Sequence, residues 1–234
     1  MKLSVEETQD GWATLYLPEC NEHYHSTFGA FEEARWIYIE RGFDVMQAAL
    51  PAALPAAAPL RILEMGFGTG LNAVLTVRAA ARARRQVFYT GVEAYPLSPE
   101  MISELGYAAR LGAEAGGYAA LHALPWAAWR PDLPFTAVTP YFQARKVQAL
   151  FETTDWPEQA FDLIYYDAFS PRVQPELWTE DVAARLYRAL ARGGRLITYC
   201  AQGRWKKNLQ AAGFTLSLLP GPGGKREITA AEKR

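Results

Sequence analysis

Three short apolar runs in the chain each end in an acidic residue: Leu60-Arg61-Ile62-Leu63-Glu64, Gln86 to Glu93, and Phe161 to Asp167. Runs of this length read as buried strands, and the stretches between them carry helical spacing. Leu71, Leu75 and Ala79 share one side of a predicted helix from Asn72 to about Ala83. Ser98 caps a predicted helix between Pro96 and Gly106. Thr179 caps another, with Glu180 and Asp181 in its first turn and Val182, Leu186 and Leu190 as its inner stripe. Gly193-Gly194 closes that helix, and Arg195 to Cys200 is the next strand. A short helix from Arg204 to Ala212 turns Trp205, Leu209 and Ala212 inward, and Gly213 stops it. Strands at Phe214 to Leu219 and Glu227 to Ala230 flank a glycine- and proline-rich loop, which predicts a terminal antiparallel pair.

The remaining elements are weaker. Phe135 to Phe142 and Val147 to Phe151 read as two strands joined by a turn near Arg145. Residues 107–133 suggest only a loosely placed helix. Towards the N-terminus, Ala13 to Leu17 reads as a strand after the Asp10-Gly11 turn, and Ser26 or Thr27 caps a helix from Phe31 to about Ile39 that Gly42 ends. A further helix through Ala53 is broken by Pro55. Alternation of strand and helix predicts an α/β fold with a parallel core sheet and that antiparallel pair at its C-terminal end. Residues 1–45 are expected to form a small extension to a main domain at 46–234.

The first strand runs into Glu64-Met65-Gly66-Phe67-Gly68-Thr69-Gly70-Leu71-Asn72. Glycines at alternate positions let the backbone approach a ligand closely and take angles closed to other residues. The following helix start leaves N–H groups facing outward. Dinucleotide sites space their glycines as Gly-x-Gly-x-x-Gly around a pyrophosphate, whereas here the spacing is Gly-x-Gly-x-Gly with Glu64 just ahead. A carboxylate there repels phosphate and suits an ammonium, which points to S-adenosylmethionine. Glu93 lies 23 residues beyond Gly70, the separation at which a strand-tip acid holds ribose hydroxyls.

Composition is that of a globular chain, 50% hydrophobic and 21% charged, with a formal net charge of −1. No stretch is long and apolar enough to span a bilayer and no leader pattern opens the chain, so a cytoplasmic protein without membrane contact is expected. Cys20 and Cys200 form no CxxC pair, and the three histidines show no metal-ligand spacing, so no metal is expected. Basic clusters at 82–85, 145–146, 204–207 and 225–226 read individually as solvated faces. In the N-terminal region, His23-Tyr24-His25-Ser26 with Glu32 and Glu33 fits either a substrate-facing wall or aromatic packing.

Taken together, several motifs resemble one bacterial family. They are His23-Tyr24-His25-Ser26 with Gly29 and Glu32/Glu33; the Glu64 to Asn72 turn; Val92-Glu93-Ala94-Tyr95-Pro96-Leu97; Tyr166-Asp167-Ala168-Phe169-Ser170-Pro171 with Gln174 to Trp178; and Ala212-Gly213-Phe214 followed by Gly224-Lys225-Arg226-Glu227. The chain resembles the methyltransferase part of the bifunctional tRNA 5-methylaminomethyl-2-thiouridine biosynthesis family, standing without its FAD-dependent oxidoreductase part. The resemblance implies an α/β, Rossmann-like class I S-adenosylmethionine-dependent methyltransferase fold, with a mostly parallel seven-stranded sheet and an antiparallel C-terminal strand. It implies methyl transfer to the 5-aminomethyl group of the wobble uridine of tRNA, with tRNA and not DNA as partner and upstream wobble-uridine modification enzymes as neighbours. No FAD or oxidase activity is expected.

By the same resemblance Asp167 is the catalytic acid beside the target amine. The cofactor set is Glu64, Gly66, Phe67, Gly68, Thr69, Gly70, Asn72, Glu93 and Ala94, with Glu152 or Asp155 near the adenine, where the family's usual Gly-Asp is absent. The substrate set is His23, Tyr24, His25, Ser26, Glu32, Phe169, Ser170, Pro171, Trp178, Lys225 and Arg226. A class I methyltransferase acting on a small-molecule or protein amine is the alternative enzyme, and a non-catalytic nucleic-acid binding or scaffolding module the alternative outside enzymes.

Overall fold

The computed structural model describes residues 3–49 and 58–234. At its centre is β4 (Leu60–Met65), in which every residue but Arg61 is buried. Such a strand needs cover on both faces, as parallel sheets have. Its parallel neighbours are β5 (Val87–Glu93) and β9 (Phe161–Tyr166). The sheet runs in the order β11 (Thr215–Pro220), β12 (Glu227–Glu232), β10 (Leu190–Thr198), β9, β4, β5, β8 (Phe142–Gln148), β6 (Trp126–Ala127), with β7 (Thr136–Thr139) antiparallel to β8. The seven strands of the expected sheet are there, with β12 antiparallel to both its neighbours; β6 and β7, the latter within the expected Phe135 to Phe142 strand, bring the sheet to nine.

Alternate residues feed two cores. Ile62, Tyr89, Tyr165 and Ile197 pack with α3 (Leu71–Ala83), α5 (Tyr107–Leu111), α6 (Ala115–Ala123) and the N-terminal helix. Leu63, Ile164 and Leu196 pack with α7 (Glu180–Ala189) and α8 (Gly203–Ala211) on the other face. Two of the predicted caps form: Met101 N–H donates to Ser98 and Val182 N–H to Thr179. Neither Ser26 nor Thr27 caps the N-terminal helix; Gly29 stands at its N-cap, and Asp10 accepts the Phe31 and Glu32 N–H groups instead. At the edge away from the glycine turn, Arg61 grips Asp162 through Nε and Nη2 at 3.0 and 2.6 Å, pinning β4 to β9.

Further expectations are corrected. Gly193-Gly194 does not close the helix capped by Thr179, which ends at Ala189; Leu190 and both glycines lie in β10. Gly42 does not end its helix. The helix continues from α1 (Ala30–Ala34) through a nine-residue π-helical stretch, Arg35–Phe43, into α2 (Asp44–Ala49), and so crosses the expected boundary at residue 45. A Cβ at Gly42 would lie 3.1 Å from Tyr165 and 3.2 Å from Ile197, so glycine permits close helix–sheet packing. Arg145 does not mark a turn but sits within β8; the chain reverses before it, between β7 and β8. Nor are Arg145 and Lys146 a solvated pair. The Arg145 guanidinium stacks on Phe135 and Trp129 and donates to Thr90 and the Leu133 carbonyl. Lys146 is 3% exposed, donates to the His122 carbonyl and lies over Trp126, and burial pulls its pKa down to about 8. The helix expected through Ala53 lies largely outside the described residues.

The small sheet of β1 (Ser4–Glu7), β2 (Ala13–Leu17) and β3 (Glu22–His23) completes the fold, and the chain leaving it crosses the carboxyl edge of the main sheet.

Candidate active site

Gly66, Gly68 and Gly70 all have positive φ. Each answers a different crowding problem. A Cβ on Gly66 would lie 2.4 Å from the Asp167 carbonyl oxygen, on Gly68 3.2 Å from the Tyr24 ring, and on Gly70 2.8 Å from His122 Nε2. The turn is braced from behind. Phe67 fills the space over Gly91, where a Cβ would meet its ring, and the Thr69 carbonyl accepts from the Tyr118 hydroxyl at 3.1 Å and from His122 at 3.2 Å. Burial pulls the His122 pKa down to about 4, so its ring is neutral and its N–H faces that carbonyl.

At the tip of β5, Glu93 accepts Gly68 N–H at 3.0 Å and Tyr95 N–H at 3.1 Å, one on each carboxyl oxygen. Each oxygen keeps lone-pair capacity for a ligand. At the tip of β9, Asp167 accepts the Tyr38 hydroxyl at 2.6 Å on Oδ1 and the Asn72 amide at 2.8 Å on Oδ2. Burial raises the Asp167 pKa to about 6 against these two donors. Tyr38 comes from the π-helical stretch and is buried, so its hydroxyl stays protonated.

These groups line one cavity of about 950 Å³ at the carboxyl ends of the strands, where open α/β sheets bind ligands. Its wall carries Glu22, Glu33, Glu93, Glu152, Asp167 and Glu176, against a single lysine, Lys225. Such a wall favours cations and disfavours phosphate. The N-terminal segment forms one side of it. His25 bridges Thr14 and Thr69 at 3.2 Å each and is neutral, its pKa lowered by burial to about 4. Tyr24 meets Phe169 edge-to-face, and Ser26 N–H donates to Glu33 at 2.8 Å. Phe28 and Tyr95, both more than half exposed, stand in the same wall.

Of the expected site residues, His23, Tyr24, His25, Ser26, Gly66, Phe67, Gly68, Thr69, Asn72, Glu93, Ala94, Glu152, Asp167, Phe169 and Lys225 line this cavity. Others stand elsewhere. Glu64 is wholly buried beneath the turn, and Gly70 faces α6. Asp155 is exposed and outside the wall, leaving Glu152 as the acid on that side. Glu32 points away and pairs with Arg35, while its neighbour Glu33 faces in. Trp178 is buried behind the loop, where its Nε1 donates to the Phe169 carbonyl while Gln174 accepts Phe169 N–H. Ser170 donates to Glu22 and Pro171 lies outside the wall. Lys225 is bonded to Glu33 and lies over Tyr199, its pKa lowered by burial to about 8. It is therefore no free phosphate contact; the adjoining Arg226 is exposed. Sequence reasoning missed Tyr38, Glu22 and Tyr199, whose hydroxyl donates to the Ala168 carbonyl. Each is a polar residue embedded in an apolar or unassigned stretch, with no motif to single it out.

Comparison with known proteins decides between the possible ligands. Residues 143–234 match a family of S-adenosyl-L-methionine-dependent methyltransferases. A tRNA 5-methylaminomethyl-2-thiouridine biosynthesis bifunctional protein MnmC from Magnetococcus marinus is 31% identical over 227 residues, covering 92% of this chain and 32% of that protein. Its counterpart from Delftia acidovorans is 30% identical over 97% of this chain and 34% of its own length. The chain thus spans about a third of these relatives. MNMC2 from Aquifex aeolicus has the same fold, with a TM-score of 0.73 at 20% identity, covering 100% of this chain and 70% of that one. The chain belongs to the MnmC-related S-adenosyl-L-methionine-dependent methyltransferases.

The methyltransferase cavity fits its cofactor on its own geometry. The backbone at Gly66 to Gly68 lies open to the cavity where a side chain would crowd it, Glu93 offers a carboxylate with spare acceptor capacity, and the acidic wall suits a sulfonium. Glu93→Ala should weaken S-adenosylmethionine by about 1.5–3 kcal/mol, from the loss of charge-assisted hydrogen bonds to the ligand. It also removes the acceptor for Gly68 and Tyr95 N–H. Calorimetry reads the affinity, and wild-type binding by the folded variant would take Glu93 out of the cofactor site.

Proposed function

We propose that this methyltransferase methylates the primary amine of a 5-aminomethyl group on the wobble uridine of tRNA. The observation that carries the reading is Asp167, a cavity-facing carboxylate fixed from both sides within an acidic wall. When bound, the cofactor supplies an activated methyl group on a sulfonium. Asp167 then orients the substrate amine by accepting its hydrogen bond and takes up the proton it must lose. An ionised carboxylate also favours the ammonium form of the amine. A pKa near 6 reduces that conflict relative to an ordinary aspartate, because the group is more basic and better able to take the proton. Phe28 and Tyr95 offer exposed aromatic faces at the cavity for a base. The names of the curated relatives supply the substrate class, and exposed Arg204, Lys207 and Arg226 offer charges for its phosphates. The absence, among the described residues, of any helix long and apolar enough to cross a membrane agrees with a cytoplasmic site of action.

Nucleoside analysis of tRNA from a strain lacking this gene tests the reading. Accumulation of the 5-aminomethyl nucleoside, with loss of its methylated product, is the expected result. An unchanged nucleoside profile would reject it.

A further inference from the structure

Glu64 has no role in the cavity wall, yet it is wholly buried one residue from the end of β4, and neither of its carboxyl oxygens has a hydrogen-bond partner. Two groups adjoining it are in the same condition: the Tyr89 hydroxyl on β5 and Oδ1 of Asn72 in the first turn of α3. Tyr89 is 0% and Asn72 4% exposed. A buried polar group left unpaired costs about 1–3 kcal/mol, so three together call for a common explanation.

One proton supplies it. A neutral carboxyl can donate its O–H to Asn72 Oδ1 and accept the Tyr89 hydroxyl on its other oxygen, satisfying all three groups. An ionised carboxylate cannot, because it would turn one acceptor against another at Asn72. Burial pushes the Glu64 pKa well above the carboxylate range; the Tyr89 and Asn72 side chains beside it pull the other way, and the nearby Asp167 charge adds to the rise. The other end of the Asn72 amide is already committed, Nδ2 donating to Asp167 Oδ2 at 2.8 Å. An amide can be turned either way round, and only its partners fix which end faces which group.

We propose that Glu64 is a positioning residue for methyl transfer: its carboxyl donates to Asn72 Oδ1 and so holds the Asn72 amide with Nδ2 toward Asp167. The chain of contacts runs from Tyr89 through Glu64 and Asn72 to Asp167, with Tyr38 closing the far side. This assigns the acid ahead of the glycine turn a task other than pairing with the ammonium of the cofactor. It rests on the reading of Asp167 as the group that receives the substrate amine.

Glu64→Gln and Glu64→Ala separate the two tasks. Glutamine is neutral, can donate to Asn72 and can accept from Tyr89. It should keep cofactor affinity by calorimetry and the single-turnover rate within about threefold of wild type, because the positioning contacts survive. Alanine frees the Asn72 amide and should slow the step about tenfold to hundredfold. It should also move the acid limb of the rate profile to higher pH, since Asp167 loses a donor that stabilises its charge. Infrared difference spectra of wild type against Glu64→Gln at pH 7 should show a protonated carboxyl band that the variant lacks. That readout stands even if the alanine variant does not fold. Loss of cofactor binding in Glu64→Gln, or no protonated carboxyl band in wild type, would overturn the proposal. Wild-type rate and profile in folded Glu64→Ala would overturn it too. If Asp167→Ala is slow while Glu64→Ala is not, the positioning role fails and the reading of Asp167 stands.

Discussion

Asp167→Ala is expected to bind S-adenosylmethionine near normally and to transfer methyl about 10²–10⁴ times more slowly, the usual size of lost acid–base assistance. Misplacement of the amine adds to the loss. The residue is held by one donor on each oxygen, Tyr38 at 2.6 Å and Asn72 at 2.8 Å, so its position is set before substrate arrives. Asp167→Asn keeps the size and an acceptor oxygen but cannot take the proton. An asparagine variant as slow as alanine identifies proton uptake as the dominant task, and a much faster one identifies positioning. The pH dependence has a definite sign. Burial raises the Asp167 pKa to about 6, so the carboxylate is formed as pH rises through 6 and the wild-type rate should climb over that range. This limb should be absent in Asp167→Asn. The same shift affects stability. A raised carboxyl pKa means that the folded state binds the proton more tightly, and the stabilisation this gives is lost as pH rises from the ordinary aspartate value through 6. Asp167→Asn should lose this component of the pH dependence of melting, while its amide N–H faces one of the two donors that the wild-type carboxylate accepts. Single-turnover assays at saturating substrates read the rate. Near-wild-type transfer by folded Asp167→Ala would remove the residue from the mechanism.

The second large effect is structural. Gly66 has φ +81, and a Cβ there would lie 2.4 Å from the Asp167 carbonyl oxygen and 3.0 Å from its carbonyl carbon. Both are backbone atoms, so no flexible side chain can move aside. Gly66→Ala combines left-handed strain of roughly 1–2 kcal/mol with an overpacking cost of roughly 1–3 kcal/mol. It also forces apart the carboxyl ends of β4 and β9, where Asp167 N–H donates to the Met65 carbonyl at 2.9 Å. Melting should fall by about 4–20 °C, and cofactor binding and transfer should fall with it. Gly106→Ala is the control. Its φ is +65, but nothing lies within 4 Å of the added carbon, so it bears the strain alone. Equal losses in the two variants would show that the close approach to Asp167 carries no energy.

The sequence made the central strands legible because β4, β5 and β9 are short apolar runs with an acid at the tip, and both Glu93 and Asp167 take their place from that pattern. The cavity's other half was read less well for physical reasons. Gly42 carries the signal of a helix stop, yet tertiary packing against Tyr165 and Ile197 uses its missing side chain instead. Arg145 and Lys146 look solvated by residue type, but aromatic rings and backbone carbonyls take up their charge within the sheet. Neighbouring residues also part company. Glu33 faces the cavity and Glu32 does not, a difference set by the helix face, which the irregular spacing before a π-helical stretch conceals. Trp178 carries a family motif yet acts from behind the loop, holding the Phe169 backbone. A motif records that a residue matters, while only the packing tells which side of the wall it serves.

The most direct measurement is transfer of labelled methyl from S-adenosylmethionine by the purified chain to tRNA bearing 5-aminomethyl-2-thiouridine, with free polyamine and protein lysine as competing acceptors. Label recovered in the wobble nucleoside as its 5-methylaminomethyl form, dependent on Asp167, is the predicted result. Label on the polyamine or protein amine, with the tRNA nucleoside unmodified, would contradict the account.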